Sequence, residues 1–167
     1  MRLGKRAGGS GIGLRPLRYQ FPVATGEPWD DNWLVIGAEV STATGDWSFT
    51  DPCLVVDEAR ELSTWLRAVA DGRRPDAAPD SEGNLVPDLD FTEPVLGFSQ
   101  VRWHDGSGVL RVHLSREGAP PRRSQGGRPE APRYAIEIET DRDALLRAAE
   151  EWDRDLTPFP PRSGGAQ

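Results

Sequence analysis

The chain has 167 residues, of which 37% are hydrophobic, and a net charge of −7. That length suits one domain able to bury about two-thirds of its unfolded surface without a staple. The single Cys53 excludes an internal disulfide framework, and no run of about 18 apolar residues is present to span a membrane.

Residues 1–16 are rich in Gly and Arg with little to bury, and they read as a disordered basic arm. Gly9-Ser10-Gly11-Ile12-Gly13 within it lacks the G-K-[ST] ending of a phosphate loop and reads as linker. The stretch over residues 1–15 also lacks the apolar segment of a secretory signal, so the expected compartment is the cytoplasm. A single α+β domain is expected over 17–162, with a disordered tail over 163–167.

Leu17, Tyr19, Phe21 and Val23 alternate with polar residues or Pro, a strand pattern ending near Pro22. Gly26-Glu27-Pro28 breaks it. The apolar run from Trp33 to Val40 fits a strand near a sheet centre, and Thr44-Gly45-Asp46 turns it into a hairpin partner carrying Trp47 and Phe49. Asp57 is placed to cap the first helix, Gly72 to close it, and Ala59, Leu62, Leu66 and Val69 form its buried stripe, with Trp65 beside them.

Residues 73–88 form a polar loop. Strands follow at 89–91 and 96–103, then a hairpin turn at Asp105-Gly106-Ser107-Gly108 and a return strand through Leu110, Val112 and Leu114. Residues 116–133 are a Pro-, Gly- and Arg-rich loop. Tyr134, Ile136 and Ile138 alternate along the last strand. Thr140 with Asp143 makes a capping box for a second helix, whose stripe is Leu145, Ala149, Trp152 and Leu156. Short hairpins and few crossovers predict a mainly antiparallel sheet of about six or seven strands with two helices packed on one face.

The residues that carry chemistry are scarce. His104 and His113 stand outside any metal motif and read as ordinary surface or edge histidines; Cys53, framed by no histidine motif, reads as buried and inert. No nucleophile elbow or calcium loop appears, so no catalytic residue, metal site or cofactor is expected. Charge is unevenly spread: residues 1–18 carry +5, leaving −12 for the rest, and residues 27–61 hold nine acids against Arg60 alone. Such a body repels phosphate backbones and attracts basic partners. Trp65, Trp152 and Trp47 fit core positions. Trp29 and Trp33 flank Asp30-Asp31-Asn32, where an aromatic beside acids suits an interface anchor or, alternatively, core packing.

Several segments together resemble the WapI family of bacterial immunity proteins. They are Trp29-Asp30-Asp31-Asn32-Trp33-Leu34-Val35, the run Gly45-Asp46-Trp47-Ser48-Phe49-Thr50-Asp51-Pro52-Cys53-Leu54, then Glu61-Leu62-Ser63-Thr64-Trp65-Leu66. Phe91-Thr92-Glu93-Pro94-Val95-Leu96-Gly97-Phe98 and the closing Phe159-Pro160-Pro161-Arg162 complete them. The resemblance covers residues 17–162 and implies an antitoxin that binds the C-terminal domain of a polymorphic toxin, often a nuclease that attacks tRNA.

The expected mode of action is occlusion of a basic toxin site, with no nucleic acid or membrane as partner. The expected binding residues are Glu27, Trp29, Asp30, Asp31, Asp46 and Asp51. The alternative is an enzyme or small-ligand domain with a pocket between sheet and helices. A third reading, nucleic-acid contact through the basic arm and the 116–133 loop, conflicts with the acidic body.

Overall fold

In the computed structural model, which describes residues 1–4, 9–83, 86–121 and 134–162, two antiparallel meanders each run directly into a 15-residue helix. The first comprises β1 (Arg2–Gly4), β2 (Gly11–Tyr19), β3 (Trp33–Thr42) and β4 (Gly45–Val55), paired in that order. A one-turn helix α1 (Pro28–Asp31) interrupts it between β2 and β3, and α2 (Val56–Ala70) follows it. The second comprises β5 (Leu89–Asp90), β6 (Leu96–His104), β7 (Ser107–Leu114) and β8 (Tyr134–Asp141), again paired in order and followed by α3 (Arg142–Leu156). A 3-10 turn at Arg116–Gly118 follows β7.

The α+β class therefore holds, but the expected single sheet of six or seven strands with two helices does not. Among the described residues there are two sheets of four strands each and three helices. Turn signals specify which strands are neighbours in a hairpin; they carry no information on whether the chain resumes the same sheet after a long loop. Here the loop after α2 re-enters through the two-residue β5, which among the described residues pairs with β6 alone.

The expected disordered arm is a second correction. Arg2–Gly4 and part of Gly11–Tyr19 lie in it, and both are strands, with Leu3 paired to Ile12 and Ile12 to Val40. Residues 5–8 of the arm, 122–133 of the Arg-rich loop and the tail 163–167 lie outside the described residues. Gly11, in the segment expected to be linker, lies in β2 where the chain passes close to β1, and a Cβ on it would stand 3.1 Å from Leu3 O. Gly4 has φ +98°, and a Cβ there would stand 2.4 Å from the Ser10 carbonyl oxygen. The strand expected to begin at Leu17 thus starts earlier, and its inward residues are Ile12, Leu14 and Pro16. A bulge between Pro16 and Arg18 then shifts the register, leaving Leu17 exposed.

Both helix starts shift relative to expectation because the preceding strand continues up to the helix. At α2 the cap position is Val55, and the Glu58 carboxylate reaches back to accept from its N–H at 3.0 Å, so Asp57 is not the cap. At α3 the cap is Asp141, which accepts from Ala144 N at 2.8 Å, one residue beyond the expected Thr140. The C-terminus of α2 ends as expected: Gly72 N donates to Val69 O and Arg73 N to Ala68 O, both at 2.9 Å.

Both buried stripes form. Ala59, Leu62, Trp65, Leu66 and Val69 of α2 and Leu145, Ala149, Trp152 and Leu156 of α3 join one core with residues of both sheets, including Ile36, Val40, Phe98, Val112 and Ile138. Trp152 Nε1 donates to Ala59 O at 2.6 Å, tying the helices together. The sheets meet where Trp47 packs edge-on to Tyr134 at 5.4 Å and donates to Gly118 O at 3.1 Å. The first sheet keeps a solvent face bearing Arg2, Arg15, Glu39, Ser48 and Thr50.

Candidate partner-binding site

Tyr19 at the end of β2 pairs with Leu34 at the start of β3, and Gln20 N donates to Trp33 O at 2.8 Å. The intervening residues therefore form a loop whose ends touch, an Ω-type excursion closed at its base. Its interior is organised by a carboxylate. Asp31 is only 1% exposed; its oxygens accept from Thr25 N at 2.6 Å, Thr25 Oγ1 at 3.0 Å and Gly26 N at 2.9 Å. The Thr25 N–H, aided by the other two donors and the Arg162 charge, holds this carboxyl below its usual range against the opposing effect of burial.

A second clamp comes from the segment after α3. Phe159 packs edge-on to Tyr19 at 5.4 Å, and the Tyr19 hydroxyl donates to Pro160 O. Arg162 lays its guanidinium 3.5 Å from the centroid of the Tyr19 ring and donates to Phe21 O at 2.7 Å and Pro22 O at 3.1 Å. Asn32 holds the Arg162 backbone through both ends of its amide.

What remains outward is apolar and acidic. Phe21 is 37% exposed, Trp29 58% and Val23 79%. Trp29 meets Trp33 edge-on at 6.0 Å; Trp33 is buried and Trp29 stays exposed. Glu27 and Asp30 are exposed. Arg18 donates to the carbonyls of Tyr19 at 3.1 Å and Gln20 at 3.2 Å, so two neighbouring cations, Arg18 and Arg162, serve backbone oxygens.

The structure thus brings Glu27, Trp29, Asp30 and Asp31 together but turns Asp31 inward. The carboxylate of Asp31, one of the expected partner contacts, is enclosed by the loop it organises. Asp46 lies at the far turn of the β3–β4 hairpin, exposed, where it accepts from Thr42 N at 3.3 Å. The hairpin register, Trp33 opposite Val55 and Thr42 opposite Gly45, separates it from the loop by about 25–30 Å. Asp51 lies on the opposite face of β4 from Asp46 and is half-buried. Burial first, then the charges of Glu117 and Glu93, push its carboxyl up. Phe21 and Val23, expected in a strand from their alternation, lie in the loop. The flanking Pro22 and Gly26-Glu27-Pro28 were the signal for a loop.

His113, expected at the surface or an edge, is only 6% exposed with Nε2 2.6 Å from Ser99 Oγ, and Ser99 also donates to Val86 O at 3.2 Å. His104 is exposed beside Asp105. Cys53 is buried, as expected, and burial together with the Asp51 charge pushes its thiol up to about 12. Among the described residues no group of three or more His, Cys, Asp and Glu is arranged to hold a metal, and no helix is long and apolar enough to cross a membrane. The sheet–helix interface, where the alternative reading required a pocket, contains the fully buried Trp152, Phe98 and Leu66. An open groove of about 900 Å³ lies instead at the rim formed by the β6–β7 turn and the β8–α3 junction.

Residues 2–160 match the family model described as immunity protein WapI-like, a span that includes β1 and the Gly-rich start of β2. No curated protein matches the chain, and no solved structure does.

Proposed function

Because the chain belongs to the WapI-like immunity protein family, we propose that it binds a cognate bacterial toxin domain and neutralises it by occlusion, with no chemistry of its own. The observation that carries this is the 20–33 loop, which is fixed from inside and presents Glu27, Trp29 and Asp30 outward. A loop already held in one conformation loses little entropy on binding, and outward acid speeds encounter with a basic surface and sets orientation.

A tRNA-cleaving nuclease suits this reading, since its substrate site must be cationic and a protein of net charge −7 competes for it. Asp46 adds to the acidic field from the far hairpin turn. Asp51, beside Glu93 and Glu117, is a second contact of the same sign. Asp31 contributes by shaping the loop. The partner is a protein, with neither nucleic acid, membrane nor cofactor involved in binding.

Co-expression with the toxin encoded in the adjacent reading frame tests this: the wild-type chain restores growth. The double reversal Glu27→Lys with Asp30→Lys slows association and flattens its salt dependence. Failure of the wild type to protect refutes the immunity reading, and undiminished association of the double variant refutes the assignment of these acids.

A further inference from the structure

We infer that the 20–33 loop docks through an apolar centre, formed by Phe21, Val23 and Trp29, into an apolar pocket on the toxin domain that is rimmed by Lys or Arg. This rests on the immunity reading and adds to it the side chains that supply the affinity and the chemistry of the surface that receives them.

The exposed large hydrophobic residues of the described chain are Leu17, Phe21, Val23, Trp29 and Val86, and three of these lie in this one loop. Single exposed apolar side chains are ordinary; their concentration in one short segment marks an interaction surface. The loop is not a slack excursion exposing them by default. Asp31 accepts three hydrogen bonds from Thr25 and Gly26, and Arg162 fixes the carbonyls of Phe21 and Pro22 themselves. Asp31, Asn32 and Arg162 are thus positioning residues that hold the apolar side chains toward solvent.

Charge selects the occupant. Residues 20–33 contain Glu27, Asp30 and Asp31 and no base. The nearby Arg18 and Arg162 turn onto backbone oxygens, so the exposed charges of the loop itself are those of Glu27 and Asp30. An aromatic anchor with a polar rim is the usual make-up of an interface hot spot, and here the rim calls for cations opposite. An anionic membrane surface would repel this rim. A two-fold pairing of the loop with its own copy would set Glu27 and Asp30 against acids of the same kind.

The test uses the full chain and, as probe, the purified C-terminal domain of the toxin encoded in the adjacent reading frame. Dissociation constants and rates are measured for the wild type, Trp29→Ala and Val23→Asp. Val23 makes no part of the core, so Val23→Asp keeps its fold even if Trp29→Ala disturbs Trp33. Trp29→Ala is expected to weaken binding by about 30-fold or more and Val23→Asp by about tenfold or more, mainly through faster dissociation. Arg162→Ala is expected to slow association while faster hydrogen exchange appears in the loop. Glu150→Gln, on the exposed face of α3, leaves both rates unchanged.

A wild type that binds and protects while Trp29→Ala and Val23→Asp bind equally well overturns this inference and leaves the immunity reading standing. A wild type that neither binds nor protects overturns both. Self-association in light scattering that Val23→Asp abolishes, or co-sedimentation with phosphatidylcholine–phosphatidylglycerol vesicles that it abolishes, assigns the loop to another occupant and also overturns the inference.

Discussion

Asn32 and Arg162 hold one another by two hydrogen bonds that run in opposite directions across 130 positions of sequence. Arg162 N donates to Asn32 Oδ1 at 2.8 Å, and Asn32 Nδ2 donates to Arg162 O at 2.9 Å. The first meander is thereby closed by the segment that follows α3, and the Arg162 side chain is delivered to the carbonyls of Phe21 and Pro22.

Asn32→Ala removes both bonds and leaves a partly buried backbone donor and acceptor in need of water. The expected cost is about 1–3 kcal/mol of stability. Hydrogen exchange should quicken together in residues 20–28 and 159–162, while the core of α2 and α3 keeps its protection. Quickening in only one of the two segments contradicts the clamp.

Asp31 predicts an acid-sensitive loop. Its folded pKa lies below the ordinary 3.8, so the ionised form contributes in full above that value. The contribution is lost as pH falls below 3.8 through the lowered folded pKa. The difference in loop protection between wild type and Asp31→Asn should be constant from pH 7 to 5 and shrink on further acidification. A difference that grows toward acid pH contradicts the assignment.

Asp51 predicts the opposite sign. Its folded pKa is raised, so the charged form opposes folding, and the wild type recovers stability as pH falls through that raised value toward 3.8. Asp51→Asn should have the higher melting temperature at pH 7, by a degree or so, and lose that advantage near pH 4. A lower melting temperature for the variant at neutral pH means that the carboxylate has a stabilising partner.

Trp152→Phe retains an aromatic ring in the core but removes the indole N–H that ties α3 to the Ala59 carbonyl of α2 and leaves space where the larger ring stood. A loss of about 1–3 kcal/mol in urea unfolding, at unchanged slope, is expected. No change in the midpoint means that the indole tie between the helices adds nothing to stability.

Cys53 should resist thiol reagents. Burial pushes its thiol up to about 12, so a neutral buffer holds almost none of the reactive thiolate. Native protein at pH 8 stays unlabelled while protein in 8 M urea, about the usual upper end of the denaturant scale, labels fully. Rapid native labelling indicates that the β4–α2 junction opens.

The sequence by itself determined what depends on near neighbours. Thr44-Gly45-Asp46 and Asp105-Gly106 marked hairpin turns, the latter realised with φ of 47° and 76°. The spacing of Leu62, Leu66 and Val69, and of Leu145, Ala149 and Trp152, determined which helix faces are buried. The tertiary structure alone decided what depends on distant partners. It divided the strands between two sheets, paired the Gly-rich arm with β3, and brought Asn32 to Arg162. It also separated two adjacent identical residues: Asp31 faces Thr25 and Gly26 inside the loop, while Asp30 faces solvent. Periodicity states that a side chain points one way or the other, but only the returning chain determines what it finds there.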